Sequence, residues 1–551
     1  DIYHDEFAGA ERKADETTNL ALQQINGSKA PYFLWVHYFD PHSEYEPPES
    51  FRKKFPNAPY DGEIAFVDSQ ISKLLQAVGP NAAVIIAADH GESLGEHEEI
   101  THAVFVYNAT LHVPLMIRAP GLKPQIRKEA VTLADVAPTL LQIAGAKASN
   151  NPFDGVSLLA NLKERTLLAE SIYAQRNFGY APLYACIRQG KKFIQAPQAE
   201  FYDLTADPHE LQNLIKQAKV SDCRQIIRTH FKDTSTRNQN ALSEEEQEKL
   251  RSLGYVSGSV TQIGVDPKSK IKIIENFRKG MVLLKEDSYD QAEKNFRQIT
   301  TTEKHNGLAF RFLGDALAAQ HKYAEAVQAY SDSLQRLPDP EVSVQLAKAY
   351  NRIQKTADAE RTLKDTTQKF PYYHEAVFEL ASFYSAQKRF DEALALLTSD
   401  LPEFRNQRGI LFTQKGEPQK AILELMAAIK TQPKATYWNN LAIAYQNLRN
   451  FQEAEGAYEH ALELNPTYEE CEANLSFLLI QLNRWNEAFT HLSRITTRNP
   501  KLFRARLALG FVLENQGKKQ DALNMYRQLL EDVPPEWPQR TQLENRIRAL
   551  I

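Results

Sequence analysis

The sequence predicts an α/β amino-terminal part followed by an all-α repeat superhelix, with the change at about residue 268. Three observations carry this. Before that point short apolar runs of strand length alternate with amphipathic stretches. After it an alanine recurs about every 34 residues, and a proline follows most of those alanines at an offset of twelve. A chain of 551 residues has room for two or more domains of ~100 to 200 residues each.

In chain order, PYFLWVHYFD (31–40) and NAAVIIAAD (81–89) are apolar without polar alternation, the pattern of central parallel strands covered on both faces. Between them GEIAFVDSQISKLLQAVG puts Ile64, Val67, Ile71, Leu74, Leu75 and Val78 on one helical face. Strand, helix, strand is the unit of an α/β sheet, and VPLMIRA (113–119) offers a further strand. Ligands of such sheets sit beyond the carboxyl ends of the strands, so Asp40 with His42 and Asp89 with His90 are predicted on one rim. Residues 216–268, including SEEEQEKLRSLGYVSGSV, are polar and read as a helical linker.

In the second half KYAEAVQAYSDSLQRLP, NFQEAEGAYEHALELNP and RWNEAFTHLSRITTRNP repeat one pattern. The alanines at 292, 326, 359, 393, 421, 454, 488 and 522 are 33 or 34 residues apart, except for one step of 28 after Ala393, where Pro402 follows only nine residues on. A small residue at a helix crossing and a proline ending the second helix resemble the tetratricopeptide repeat, with about eight copies over 269–551. A single helix pair cannot bury its apolar face, so neighbours must stack, and the resulting groove is a place for a protein or peptide partner.

Composition narrows the function. A net charge of −5 gives no broad basic footprint for nucleic acid. No run of eighteen apolar residues is present. Three cysteines, Cys186, Cys223 and Cys471, are too few for a disulfide framework and read as small buried apolar residues.

The chemistry is concentrated in AADHGESLGEH (87–97). Asp89 and His90 set a carboxylate and an imidazole side by side, and Gly91 lets the backbone turn. Two ligands are fewer than a divalent cation takes. A zinc-protease reading of HEEITH fails on spacing: His97 and His102 are five apart, which leaves the rings about 140° apart on a helix.

FLWVHYFDPHSEYEPP, YDGEIAFVDSQI, AADHGESLGEH, THAVFVYNATLHVPLMIRAPG, LADVAPTLLQIAG, FDGVSLL and EFYDLTADPHELQNL occur in the order seen in sulfatases of the alkaline phosphatase superfamily, and residues 1–215 resemble that family. The resemblance implies a partial α/β sulfatase-like domain ahead of the repeats. It implies Asp89 and His90 as metal ligands, usually for Ca²⁺, and His42 of DPH as the histidine that hydrogen-bonds the sulfate ester. His102 lies near the position of a family lysine and is assigned as a substitute cation on the sulfate. His97 is assigned to loop orientation or substrate binding, while His37 and His112 read as a strand histidine and an edge residue.

The reaction implied is hydrolysis of a sulfate ester, with a sulfated glycan as a candidate polymer. Fixed positive charge in a dry rim would stabilise the transferring group. The family nucleophile, a formylglycine made within C/S-x-P-x-R, has no counterpart in this sequence, nor do the family's early metal aspartates. The expectation is therefore a carboxyl-terminal part of a longer sulfatase, with formylglycine upstream of Asp1 and no turnover by these residues alone. Export from the cytoplasm is expected by the same likeness. Two alternatives stand beside it: phosphate or phosphonate ester hydrolysis or phosphoethanolamine transfer by the same metal pair, and a non-enzymatic repeat scaffold.

Overall fold

The computed structural model describes residues 12–29, 31–146, 153–231, 264–535 and 537–551. It divides into two compact units, one of residues 1–321 with 335–338 and one of residues 322–334 with 339–551. Most of the predicted linker, SEEEQEKLRSLGYVSGSV included, lies outside the described residues.

The first unit holds two small sheets. Strands β1 (Val84–Ala87) and β2 (Leu115–Arg118) pair antiparallel, Val84 opposite Arg118 and Ala87 opposite Leu115. This corrects the expectation of parallel central strands. The 88–114 connection holds only a 3-10 turn and the four-residue helix Asn108–Leu111, and it lacks the crossover helix that normally joins parallel neighbours. Strands β3 (Leu167–Ser171), β4 (Leu183–Arg188), β5 (Lys191–Gln195) and β6 (Glu200–Asp203) form an antiparallel meander in chain order. Gln189 and Gly190, both at positive φ, make the two-residue turn between β4 and β5, closed by the Arg188–Lys191 pair.

The run 31–40 is not a strand. Val36, Tyr38 and Asp40 turn inward, with Tyr38 hydroxyl 2.8 Å from Thr18 Oγ1 on helix Ala14–Gly27, while Phe33 and Trp35 are more than three-quarters exposed. The segment covers one face only, so the two-sided burial read from its composition is not met. Helix Pro59–Val78 forms as predicted, but it buries Gly62, Glu63, Phe66 and Gln70, and Ile64 is exposed. Hydropathy selects one face, whereas burial goes to a neighbouring stripe carrying a carboxylate with backbone partners.

Cys186 and Cys223 form a disulfide, which overturns their reading as inert apolar residues. It fastens helix Ser221–His230 to β4 over a small core of Phe193 and Ile227. No helix among the described residues is long and apolar enough to cross a membrane.

The second unit is a run of paired helices. Ala326, Ala359, Ala393, Ala421, Ala454, Ala488 and Ala522 are all fully buried, because helices that cross closely leave no room for a larger side chain. Gly510 meets Tyr526 so closely that an added Cβ would lie 2.2 Å from the ring. The 28-residue step has a direct cause: helix Phe390–Leu396 has seven residues where its counterparts have fourteen, and Pro402 opens the next helix.

Candidate functional site

Residues 88–105 form a loop whose path is set by a close approach and by left-handed backbone. Gly91 donates its N–H to the Thr110 carbonyl at 2.8 Å, and a Cβ there would lie 2.2 Å from the Ala109 oxygen, so only glycine fits. Leu94, Gly95, His97, Glu98 and Ala103 all have positive φ. Buried Glu99 holds the loop from inside, accepting from Val104 N–H at 2.8 Å, Phe105 N–H at 3.3 Å and Ser93 hydroxyl at 3.3 Å. Burial raises its carboxyl above the ordinary range, against those hydrogen bonds and the charge of Arg278.

The loop brings three of the predicted histidines together. His90 and His102 stack with ring centroids 4.1 Å apart, and His42 meets His102 edge-on at 6.2 Å. Each ring is anchored through Nδ1: His42 to the Ser43 carbonyl at 2.7 Å, His90 to the Gly91 carbonyl at 3.0 Å, and His102 to both oxygens of Glu92 at 3.3 Å. A carbonyl can only accept, so in His42 and His90 the proton sits on Nδ1 and Nε2 carries the electron pair of the neutral ring. The Glu92 carboxylate imposes the same tautomer on His102.

Asp89 stands beside His90, its Oδ1 accepting from His90 N–H at 3.0 Å and lying 3.8 Å from Nε2. Its side chain is 76% exposed. A hard carboxylate oxygen next to an imidazole whose neutral tautomer leaves the electron pair on Nε2 fits two ligand positions of a divalent cation. Among the described residues no group of three or more His, Cys, Asp or Glu side chains forms a complete cage.

His97 is turned elsewhere. Its ring stacks on Tyr107 at 3.6 Å and its Nε2 lies 3.1 Å from the His209 carbonyl, so it ties the loop to the turn after β6. Asp40 is buried and accepts from Ala14 N–H at 2.6 Å, a carboxylate at a helix N-terminus. His37 stacks on Trp35 at 6.1 Å, and His112 precedes β2.

Several residues of the site escape a reading of the sequence. The Glu92 side chain is 4% exposed and sits beside Tyr45 and Tyr60, whose rings meet at 5.2 Å. Burial, then the Glu92 charge, pushes both phenols above the usual tyrosine range, so they remain neutral donors. Glu63 accepts from His42 N–H at 3.2 Å and Glu46 N–H at 2.7 Å and so shapes the 42–46 turn. Its only signal in the sequence is a carboxylate within an apolar helix. Behind the loop, buried Lys192 of β5 pairs with buried Glu210 at 2.7 Å and donates to Asn108 Oδ1 at 2.8 Å.

Residues 2–146 match the family model described as Sulfatase, and residues 95–237 match that of N-sulphoglucosamine sulphohydrolase, C-terminal. The amino-terminal part is a sulfatase-family region. Four tetratricopeptide-repeat models match 277–339, 353–410, 435–468 and 504–535, so that region is followed by repeats. The chain is 31% identical to choline-sulfatase of Rhizobium meliloti over 36% of its length, 28% to an arylsulfatase of Clostridium perfringens over 30%, and 27% to N-acetylglucosamine-6-sulfatase of Bos taurus over 30%. It spans 42%, 37% and 37% of those relatives. Among solved structures, a tetratricopeptide repeat protein from Parabacteroides merdae aligns at 14% identity and TM-score 0.35, covering 50% of this chain and 98% of that one.

Proposed function

We propose that the sulfatase-family region grips and helps cleave sulfate esters, and that Asp89, His90, His42 and His102 act there as one site. The observation that carries this reading is the convergence of three imidazoles, each anchored through Nδ1, beside an exposed carboxylate. Asp89 and His90 would hold a divalent cation, Ca²⁺ by family likeness. When bound, such a cation supplies positive charge against the transferring sulfuryl group. His42, with Nδ1 still donating to the Ser43 carbonyl, binds the ester oxygen by donating Nε2–H in its imidazolium form. His102, its Nδ1 held by Glu92, faces the same group and carries or passes a proton at Nε2. No C/S-x-P-x-R stands within the 551 residues, so none of them is assigned as the nucleophile.

The substrate class proposed is a sulfated sugar or glycan. Support comes from the names of two relatives, Delta 4,5-hexuronate-2-O-sulfatase of Bacteroides thetaiotaomicron and N-acetylglucosamine-6-sulfatase of Bos taurus. The disulfide favours an oxidising location outside the cytoplasm. The repeats are proposed to bind a protein partner.

The test is hydrolysis of 4-nitrocatechol sulfate and 4-nitrophenyl phosphate by the complete gene product. Turnover of the sulfate ester, reduced ~10²- to 10⁴-fold in His102→Ala and abolished by EDTA, supports the reading. Preference for the phosphate ester moves the site to phosphoryl chemistry. Turnover unaffected by either His42→Ala or His102→Ala refutes the roles proposed for those two histidines.

A further inference from the structure

The helix Ile271–Lys285, the first of the repeat array by the alanine period, lies within the same compact unit as the site loop and runs alongside it. Four loop residues are matched in order along the helix. Lys272 Nζ lies 3.9 Å from Glu98, Glu275 accepts from Ile100 N–H at 3.4 Å, and Arg278 donates to Thr101 Oγ1 at 2.6 Å and to the His102 carbonyl. The outer pair is exposed and screened, but Glu275 and Arg278 are mostly buried, paired with each other at 3.0 Å, and Arg278 also covers the Tyr173 ring at 5.3 Å.

The next residue of the loop, Ala103, has φ of +83°, a conformation that L side chains rarely adopt and that persists only where the surroundings impose it. Three hydrogen bonds surround it. Arg278 takes the carbonyl before it, Ser171 Oγ on β3 takes its own carbonyl at 2.6 Å, and Glu99 takes the following N–H at 2.8 Å. That turn sets where the His102 ring stands relative to His90 and His42. We propose that Arg278 is a positioning residue for the candidate site, through which the first repeat helix holds His102 in place. The site loop is thus completed by the repeat part of the chain, and the two cannot be separated ahead of residue 286 without loosening His102. The consequence for catalysis rests on the sulfatase reading, while the clamp itself is independent of it.

Hydrogen exchange of the full chain, read on peptides covering 99–105 and 271–319, tests the clamp in Arg278→Ala, Arg278→Lys and Thr101→Val. The clamp predicts at least tenfold faster exchange at 100–104 in Arg278→Ala, a smaller rise in Thr101→Val, partial recovery in Arg278→Lys, and no change at 289–319. No change in the loop, or an equal rise over 289–319, overturns it, and if Arg278→Ala fails to fold, Thr101→Val carries the same test. Histidine-selective ring NMR with added inorganic sulfate separates the clamp from the sulfate reading. A His102 signal shifted by sulfate in the wild type, with at least tenfold weaker sulfate binding in the Arg278→Lys or Thr101→Val protein, supports both. Sulfate that shifts no histidine signal while the loop still depends on Arg278 refutes the sulfate reading and leaves the clamp standing.

Discussion

Replacing Lys192 by Met asks whether β5 is tied to the segment just after the site loop, Val106 to Asn108, by a buried charge pair. The Lys192 and Glu210 side chains are 0% and 1% exposed and meet at 2.7 Å. Lys192 also donates to the Asn108 Oδ1 at 2.8 Å and the Val106 carbonyl at 3.2 Å, while Glu210 accepts from Asn108 N–H at 2.5 Å. Burial lowers the lysine's proton affinity and the Glu210 charge opposes that. Met keeps most of the stem's volume but strands the Glu210 carboxylate in the interior, a loss of about 3–5 kcal/mol. In a unit of this size that is a fall of roughly 4–7 °C in the melting of the first unit by scanning calorimetry. The double variant Lys192→Met/Glu210→Gln should recover most of it, because no charge is then left unpaired. A single variant that loses less than about 1 kcal/mol, or a double variant no better than the single, would show that the pair does not hold these segments together.

Thiol chemistry, acid stability and one helix turn supply three more tests. Native protein should present no thiol to a disulfide-exchange reagent. Burial, then Glu470 and Glu472, pushes the Cys471 thiol up to about 12, so unfolding without reductant should release one thiol and with reductant three. Arg389 and then Lys364 hold the Glu360 carboxyl down to about 2. A depressed folded-state value means this stability is full above the ordinary carboxylate range and is lost as pH falls from about 4.5 towards 2. Glu360 is partly solvated, so Glu360→Gln should lower stability at neutral pH by only about 1 kcal/mol and flatten the acid limb of a melting-temperature profile. Arg449, exposed at φ +61°, should tolerate Arg449→Gly with unchanged or slightly higher stability in urea unfolding, whereas Arg449→Val should lose about 1–2 kcal/mol.

The repeats are legible because each helix crossing demands the same small residue at the same spacing, and Ala326 to Ala522 are buried as that demand requires. The turns between paired helices are not. They place a left-handed residue at Asp287, His321, Gln354, Lys388, Gly416, Arg449, Asn483 and Gly517, the same period as the alanines, yet only two are the glycine that would announce it. Stacking holds the other six in place. In the first unit Asp89, His90, His42 and His102 stand out by chemistry and order, and three of their rings do meet. Glu92, Tyr45 and Arg278 do not, because their roles come from contacts across 10, 47 and 176 residues that no local pattern encodes. The Cys186–Cys223 bond spans 37 residues and is hidden by a count of three cysteines. Composition alone misassigns 31–40, since an apolar run says how much surface wants cover and not which face receives it.

Whether Asp89, His90, His42 and His102 act as one site is decided by a crystal structure of the complete gene product grown with inorganic sulfate and with Mn²⁺ as a Ca²⁺ surrogate. The expected result is an anomalous metal peak at coordination distance from an Asp89 oxygen and His90 Nε2, with sulfate within hydrogen-bond reach of His42 and His102. A metal bound away from Asp89 and His90, or sulfate that leaves His42 and His102 untouched, would contradict it.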